Sequence, residues 1–457
     1  MSYPNPTQPI IIQANTLTTS KSDFALRRFC FVSAGDTDLD TGEIAELDSN
    51  NWSEKIHKES ALYKEIEAFF VYTSTSKICY VLETQSTNNE ISISVNENCE
   101  FSKDNQTITS LNIKEGDLLN INAIEGVSVV VDIEFLTLQN NAYLAIKSGN
   151  TSISATKTSD SEESISKQLQ VNISAKDLSA NIEVLNQHIK DNVFKMYMYG
   201  LSEAFYKDSN IASVLSHGLD INNPTIFVFS LKNLTSFTSD ISSGNRGIIV
   251  LYDNAIKYPI LGAFGGIFTN SQFDISSDNP ASPFCYKLLQ GNTYNTLTSA
   301  QSDFCTKNGI SFVGDIGGNV CFLGGRTGDM RTIDFWYQWD LLNFFIKEDW
   351  QSLLLSGVNN PRYTIPFSQS GIDIGKSKIE NTLDNKGKAY GLITEYAQGY
   401  NNATNELLGN GSIYNVSFVD YIKAKPHDYQ NGIYGGYSAF IQIQKYILQI
   451  VFPVTLG

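Results

Sequence analysis

The clearest pattern of metal-ligating residues is Asp36-Thr-Asp38-Leu-Asp40, in which carboxylates alternate as they do at the start of a calcium-binding loop. Such a loop needs glycine at its sixth position and a bidentate glutamate at its twelfth. This chain has Thr41 and Leu47 there. We therefore interpret the segment as a solvated acidic loop and predict no metal site.

The sequence carries no recognisable catalytic motif. Its four histidines are scattered, form no HExxH pair and accompany no GxSxG serine elbow. The glycine clusters lack the spacing and the final Lys-Ser/Thr of a phosphate-binding loop, so they are interpreted as turns. Two carboxylates of a glycoside hydrolase could still meet in the fold. We predict that the protein is not an enzyme and uses no cofactor.

The element that organises the chain runs from Arg331 to Ile393 and is predicted to be two helices joined by a turn. The first helix has an apolar stripe at steps of three and four residues, formed by Phe335, Trp339, Leu342, Ile346, Trp350 and Leu353 and widened by Trp336, Leu341, Phe345 and Leu354, so it is expected to be buried on more than one side. Gly357 and Pro361 are typical of its end, and Ser368 or Ser370 is the expected N-cap of the second helix. The segment is built for packing and for presenting a surface.

Composition limits the classes of function. The chain has 457 residues, 42% of them hydrophobic, and a formal charge of −16, which argues against duplex nucleic acid as the main partner. Its six cysteines form no CxxC pair and are predicted to be buried thiols in a reducing compartment. Neither a signal peptide nor a membrane span is visible, so we expect the protein to stay in the cytosol where it is made and not to insert into a membrane.

The periodicities change along the chain and predict an α+β fold, with a mixed α/β core, an inserted all-β domain and extended terminal strand arms. Short alternating runs separated by Asn, Gly and Ser predict the β insertion. The predicted divisions are an N-terminal arm at 1–20, a middle α/β domain at 21–84 and 188–260, the inserted outer domain at 85–187, a core domain with the central helices at 261–435, and a C-terminal arm at 436–457.

Two apolar runs near the chain ends lack an obvious local strand partner. Ile10, Ile11 and Ile12 follow a proline-rich start, and a disordered tail is the alternative interpretation of them. The run at the other end consists of Tyr446, Ile447, Leu448, Ile450, Val451 and Phe452. An apolar strand of this kind must find cover and an edge to pair with.

Residues 262–397 resemble the tail sheath proteins of contractile-tailed bacteriophages. The resemblance is carried by Gly262-Ala-Phe-Gly265, by Tyr286-Lys287-Leu288 with Gly291, by Gly324 to Ile333 with Asp334 and Trp339, and by Ile365-Pro366-Phe367 with Gly371-Ile372. It covers about a third of the chain well. Sheath proteins of this family often approach their final strand through small residues, whereas Lys445 and Tyr446 stand here.

The resemblance implies a structural subunit that polymerises helically around a tail tube and contracts to drive the tube through the host cell envelope. The implied partners are other copies of the chain, the tail tube protein, and baseplate and tail terminator proteins, in a virion tail assembled in the host cytoplasm. The two apolar runs are then arms that complete the sheets of neighbouring subunits by strand addition.

The second central helix is the predicted tube-facing surface. Lys376, Lys378, Lys386 and Lys388 there outnumber Glu380 and Asp384 in a chain that is acidic overall. A solvated helix face is the alternative interpretation.

Two other classes of function stay open. A glycan-binding surface β-domain protein would need an export signal and aromatic platforms, and the signal is missing. A tail-associated polysaccharide depolymerase would need two specific acids.

Overall fold

The computed structural model describes residues 28–58, 60–73, 77–85, 90–139, 142–145, 148–158, 164–174, 178–191, 196–219, 224–242, 244–270, 284–359, 364–394, 414–431, 434–441 and 443. The strands are β1 (Phe29–Ser33), β2 (Ile44–Leu47), β3 (Cys79–Glu83), β4 (Glu90–Val95), β5 (Phe101–Lys103), β6 (Gln106–Thr107), β7 (Ser110–Lys114), β8 (Leu118–Ala123), β9 (Val127–Val130), β10 (Leu136–Gln139), β11 (Ala142–Ala145), β12 (Gly149–Thr158), β13 (Ser164–Ser174), β14 (Met198–Leu201), β15 (Ile226–Leu231), β16 (Ile248–Tyr252), β17 (Phe312–Ile316), β18 (Asn319–Leu323), β19 (Tyr414–Ser417) and β20 (Ser438–Ile441).

The α-helices are α1 (Trp52–Lys55), α2 (Ala61–Val71), α3 (Ser179–Asp191), α4 (Glu203–Lys207), α5 (Ile211–Leu215), α6 (Ser239–Ser242), α7 (Ile260–Asn270), α8 (Ser299–Asn308), α9 (Ile333–Asn359), α10 (Gln369–Thr382) and α11 (Pro426–Asn431). A π-helical segment, Leu383–Lys388, continues α10. This mixture of helices and sheets confirms the predicted α+β fold class.

The chain folds into two compact units. Unit 1 comprises residues 1–29, 193–199 and 215–457, and unit 2 comprises residues 30–192 and 200–214. Unit 2 therefore contains residues 85–187, for which the sequence predicts a β insertion. Residues 215–260, which are predicted to share a domain with 21–84, belong to unit 1.

The strands between Glu90 and Ser174 in unit 2 form two sheets around one apolar core. The hydrogen-bonded orders are β10-β11-β8-β4-β5-β6 and β7-β13-β12-β9. Buried and exposed residues alternate along β7 and β13, as expected for sheets with one solvated face. The core between the sheets includes Ile93, Phe101, Leu119, Ile153 and Leu169.

The all-β part ends before the predicted boundary at residue 187, because residues from Ser179 onward are helical in α3. Ile182, Leu185 and Ile189 recur at helical spacing and are buried. Because the last strand and this helix are close in sequence, the predicted β insertion wrongly included the first residues of α3.

A second part of unit 2 pairs β1 with β3 in parallel and β3 with β2 antiparallel. Glu83, at the end of β3, is fully buried. Its carboxylate accepts hydrogen bonds from the Ser33 hydroxyl at 2.6 Å, the Thr37 hydroxyl at 2.7 Å and the Gly35 amide at 2.8 Å. A buried carboxylate needs such donors, because leaving it unpaired is costly. Glu83 therefore holds the start of the acidic loop at 36–40 in place.

Unit 1 contains a buried pair of parallel strands. β15 and β16 align Phe227 with Ile248, and every residue of both strands is buried, which is typical of strands covered on both faces. Helix α7, buried from Ile260 to Thr269, packs on both strands. Hairpin β17–β18 turns at Gly317 and Gly318, whose positive φ angles of 61° and 86° suit a two-residue turn.

Helix α9 confirms the predicted long apolar helix but buries only part of its predicted stripe. The buried side chains are Ile333, Tyr337, Leu341, Leu342 and Phe345. Leu342 of the predicted stripe is buried, as are Leu341 and Phe345, which were predicted to widen it; the other five members of the stripe are half-buried. The helix is apolar around most of its circumference, so periodicity alone did not identify the face that packs inward.

Candidate assembly surface

The α9–α10 hairpin carries the predicted tube-facing lysines and lies in unit 1. Ser368, one of the two predicted N-caps, caps α10, and its hydroxyl accepts a hydrogen bond from the Gly371 amide at 3.4 Å. A Cβ at Gly371 would collide with the backbone carbonyl of Pro366. The turn into α10 therefore requires glycine at position 371, because no larger residue fits against that carbonyl.

A second close approach fixes the hairpin to the residues that precede β20. A Cβ at Gly375 would collide with the hydroxyl of Tyr437 and with the ring of Trp350. The Tyr437 hydroxyl donates to the Ile372 carbonyl at 2.7 Å, and its ring lies 5.5 Å from that of Trp350. Both helices and the segment at 434–437 are thus packed as one structure.

The π-helical segment completes the surface. A Cβ at Gly387 would collide with Ile393, and the side chain of Leu342 lies 3.4 Å from the same point. Gly387 therefore lets the end of the second helix approach both α9 and the residues after it. The widened turn is closed by bonds such as the Leu392 amide to the Gly387 carbonyl at 2.9 Å.

Each of the four predicted lysines forms an ion pair within unit 1. The pairs are Lys376 with Glu380 at 3.5 Å, Lys378 with Asp349 at 3.7 Å, Lys386 with Asp349 at 3.1 Å and with Glu348 at 3.2 Å, and Lys388 with Asp384 at 2.6 Å. Four lysines therefore meet four carboxylates, two of them supplied by α9. The basic excess of the α10 sequence is balanced in the fold.

Asp349 is the centre of this network. Its carboxylate also accepts from the Thr382 hydroxyl at 2.7 Å. Burial by itself would raise the pKa of Asp349, but the hydrogen bonds from Thr382 and Lys386 and the charges of Lys386 and Lys378 hold it below its usual value. The ionised carboxylate therefore links α9 to α10.

The sheet of β19 and β20 lies next to this surface. Tyr414 pairs with Ile441 across it, and the Lys388 ammonium lies 5.1 Å from the centre of the Tyr414 ring. Ile443, buried beyond β20, bridges to the buried Ile393. The first residues of the predicted C-terminal arm are thus a strand of unit 1. The predicted arm residues Ile10, Ile11, Ile12, Tyr446, Ile447, Leu448, Ile450, Val451 and Phe452 lie outside the described residues.

A buried polar cluster in unit 1 was not predicted. The Asp340 carboxylate on α9 accepts hydrogen bonds from the Arg246 guanidinium at 3.0 Å and from the Tyr197 hydroxyl at 3.0 Å. All three side chains are buried. The Arg246 guanidinium also lies 4.8 Å from the centre of the Trp336 ring. Burial raises the pKa of Asp340 to about 6, although the charge of Arg246 opposes the shift.

The acidic loop of the sequence analysis has internal contacts. The Thr37 hydroxyl donates to Glu83, and the Asp38 carboxylate lies 2.9 Å from the His57 Nε2 atom. Across the described ranges, no three histidine, cysteine, aspartate or glutamate side chains are grouped as metal ligands. Within the same ranges, no helix has the length and hydropathy to cross a membrane.

Comparisons with known proteins agree with the fold. No protein-family model and no curated protein matches the sequence. A chain in the cryo-EM structure of the anti-feeding prophage baseplate shares the fold at a TM-score of 0.54 and 12% identity, over 100% of this chain and 99% of that chain. A chain of the same baseplate in its contracted state matches at 0.54 and 11% identity, over 100% and 97%.

A sheath tail protein from Listeria innocua is more distant, with a TM-score of 0.46 and 12% identity over 92% of this chain and 94% of that chain. The two baseplate matches, which extend over the whole chain, confirm the resemblance inferred from residues 262–397 as a shared fold.

Proposed function

We propose that this chain is the structural subunit of a contractile tail sheath, in a phage tail or a related injection particle. The observation that carries the proposal is the shared fold along 100% of this chain and 99% of a chain in the anti-feeding prophage baseplate. Because the match extends over nearly the full length of both chains, it includes both units and the α9–α10 hairpin.

In the proposed mechanism, copies assemble around a tube in an extended lattice and switch to a shorter, wider one of lower free energy. Each subunit moves mainly as rigid bodies, so the free energy comes from interfaces that change and not from a chemical reaction. The close packing of α9 and α10 around Gly375 and Gly387 supports a stiff inner element. The proposed partners are other copies, the tube protein, and baseplate and terminator proteins.

The terminal arms are proposed to connect the copies. Ile10–Ile12 and Tyr446–Phe452 would add as strands to sheets of neighbouring subunits, because backbone pairing is strong in sum and tolerant of sequence. The sheet of β19 and β20 has only two strands among the described residues, so it is the proposed acceptor. It lies directly before the second arm in the chain.

The α10 surface is proposed to face the tube. We expect replacement of Lys376 and Lys388 by glutamate to reduce co-sedimentation with the tube protein at least tenfold. The ion pairs Lys376–Glu380 and Lys388–Asp384 would become pairs of carboxylates that repel each other, so the proposed contact surface would lose both of these cations. The ion pairs of Asp349 with Lys378 and Lys386 would stay intact. Stability should change by only about 0.5 kcal/mol per pair.

The matched control is Lys423→Glu, which reverses an exposed lysine on another element. It should leave tube binding unchanged. If the double variant on α10 bound the tube as the wild type does, α10 would not be the contact.

Sedimentation velocity of the purified chain tests the proposed function itself. Large, heterogeneous polymers are expected as the concentration rises, and they should grow longer when tube protein is added. A single species of monomer mass at every concentration, with and without tube protein, would contradict the sheath role.

A further inference from the structure

Four aromatic side chains of unit 1 form a cluster that is open to solvent. The ring of Phe367 is at its centre, and its centroid lies 5.3–6.2 Å from those of the other three rings, which belong to Tyr421, Tyr429 and Tyr434. Tyr429 is 55% exposed and Tyr421 is 40% exposed, whereas Phe367 and Tyr434 are half-buried. We call these four residues the aromatic cluster.

Hydrogen bonds and one close approach hold the aromatic cluster in place. The Tyr421 amide donates to the side chain of Gln369, at the start of α10, at 3.0 Å. The Tyr434 hydroxyl donates to the Val419 carbonyl. A Cβ at Gly436 would collide with the Tyr434 ring, so glycine leaves the space that this ring occupies. The rings therefore form an ordered surface with aromatic groups in water, which is typical of an interaction site.

The aromatic cluster lies at one end of the sheet of β19 and β20. Beyond the last pair of the two strands, the Val419 amide donates to the Gly436 carbonyl at 3.1 Å. Tyr421 and Tyr434 stand two residues further along on either side. A strand that added to this sheet antiparallel to β19 would therefore enter it from the end that carries the cluster.

The charges around the aromatic cluster are balanced. From the first residue of β19 to the last residue of β20 there are two aspartates and two lysines, among them the exposed pair of Lys423 with Asp420 at 3.8 Å. Residues 1–20 contain no charged side chain. This segment could therefore cover the cluster without bringing an unpaired charge to it.

The first nine residues contain three of the eleven prolines in the chain, Pro4, Pro6 and Pro9. Pro6-Thr-Gln-Pro9 has the spacing of a Pro-x-x-Pro segment. Such segments dock on aromatic-lined surfaces, because the polyproline II helix is preformed and loses little entropy on binding. At about 3.1 Å per residue, residues 4–9 would span roughly 19 Å, which is enough to cross several neighbouring rings.

A second Pro-x-x-Pro spacing, at 280–283, suits the aromatic cluster less well. It ends next to Phe284, which is buried and whose amide donates to the Asp334 carboxylate at 2.9 Å. That motif is therefore anchored at α9. The N-terminal motif instead directly precedes Ile10–Ile12, the proposed strand for the sheet that the cluster borders.

We propose that residues 4–9 of a neighbouring copy dock on the aromatic cluster as a polyproline II segment. The prolines pack against the exposed rings of Tyr421 and Tyr429, and Ile10–Ile12 continues into the sheet antiparallel to β19. This inference rests on the proposed N-terminal arm and assigns a binding surface to its first residues. The arm is then held by ring packing at one end and by backbone hydrogen bonds at the other.

Fluorescence anisotropy with a labelled peptide of residues 2–9 tests the docking without polymerisation. The receptor is the full chain carrying Pro6→Ala/Pro9→Ala, in which the chain's own segment competes weakly. We expect the natural peptide to bind about tenfold more tightly than the same peptide with alanine at both positions, because proline limits the freedom of the unbound segment.

Variants of the receptor locate the site. Tyr429→Ser should weaken binding of the natural peptide about tenfold, whereas Tyr429→Phe, which keeps the ring, should leave it unchanged. The matched control is Tyr294→Ser, which alters a 46% exposed tyrosine on another segment and should have no effect. Equal binding of the two peptides, or equal binding with and without Tyr429→Ser, would overturn the proposal. Both peptides meet the same receptor, so their comparison does not depend on how a cluster variant folds.

Sedimentation velocity then tests whether a neighbouring copy supplies the segment. Pro6→Ala/Pro9→Ala and Tyr429→Ser should each raise the concentration needed for polymers, and the combined variant should raise it no further, because all of them remove the same contact. Additive effects, or unchanged assembly of the proline variant, would overturn docking between copies. Peptide binding as expected, without any polymer from the wild type, would support the docking surface and contradict the sheath role.

Discussion

Replacing Arg246 by methionine is expected to lower the free energy of unfolding by about 3–5 kcal/mol, the usual cost of leaving one member of a buried ion pair alone. The Asp340 carboxylate is only 4% exposed and would lose the guanidinium that lies 3.0 Å away. The Tyr197 hydroxyl would remain as a donor but carries no charge. Chemical denaturation followed by tryptophan fluorescence measures the loss, since Trp336 lies against Arg246.

The double variant Arg246→Met/Asp340→Leu is the sharper part of this prediction. Removing both charges should restore most of the lost stability, because two apolar side chains of similar size need no desolvation. The exposed pair of Lys423 with Asp420 gives the control: Lys423→Met should cost less than about 1 kcal/mol. Equal losses in the single and double Arg246 variants would contradict the role given to the buried charge.

The same cluster predicts a pH dependence. Burial raises the pKa of Asp340 from 3.8 to about 6 in the folded chain. Because the folded chain then holds this proton more tightly than the unfolded chain, the contribution is fully present below about pH 4 and is lost as the pH rises through about 6. The stability of the wild type relative to the double variant should therefore be greater at pH 4 than at pH 7.

Removing residues 1–18 is expected to abolish polymerisation and to leave both units folded. The truncation deletes Ile10, Ile11 and Ile12, the proposed strand that pairs with a neighbouring subunit. Without this strand, the sheet of the neighbouring subunit forms no backbone hydrogen bonds across the interface. Sedimentation measures assembly, and circular dichroism with thermal unfolding measures the fold. The point variant Ile11→Pro is a second test that keeps the chain length. It should also reduce polymerisation, because proline removes a hydrogen-bond donor from the strand ladder.

Normal polymers from the truncated chain would refute the proposed N-terminal arm. Loss of both polymer and fold would instead show that the first residues stabilise the subunit itself. The two outcomes differ in the thermal transition, so sedimentation and unfolding must be measured on the same sample.

Local signals in the sequence predicted much of unit 1. Ser368 was one of two predicted N-caps, and the glycine cluster that includes Gly317 and Gly318 was interpreted as a turn, because both effects act within a few residues. Among the lysines, the pairs of Lys376 and Lys388 follow from spacings of four residues on one helix. Those of Lys378 and Lys386 required Asp349, which is 29 residues before Lys378 and reaches it only when α9 packs on α10.

Contacts between distant segments could not be predicted from spacing. Asp340 stands within an apolar helix where the pattern alone favours a hydrophobic residue, and its partner Arg246 is 94 positions away. In the inserted β structure, β4 pairs in parallel with β8 and β7 with β13, whereas alternation of residues predicts strands but not their partners. The buried face of α9 was predicted only in part for a related reason, since the helix is apolar on several sides.

Negative-stain electron microscopy of the purified full chain, concentrated with and without its tube protein, tests the central claim most directly. The sheath role predicts hollow, transversely striated tubes that form with and without the tube protein, and filled tubes of regular diameter when it is present. A population of single, unassociated particles under both conditions, at concentrations where the chain remains folded, would contradict it.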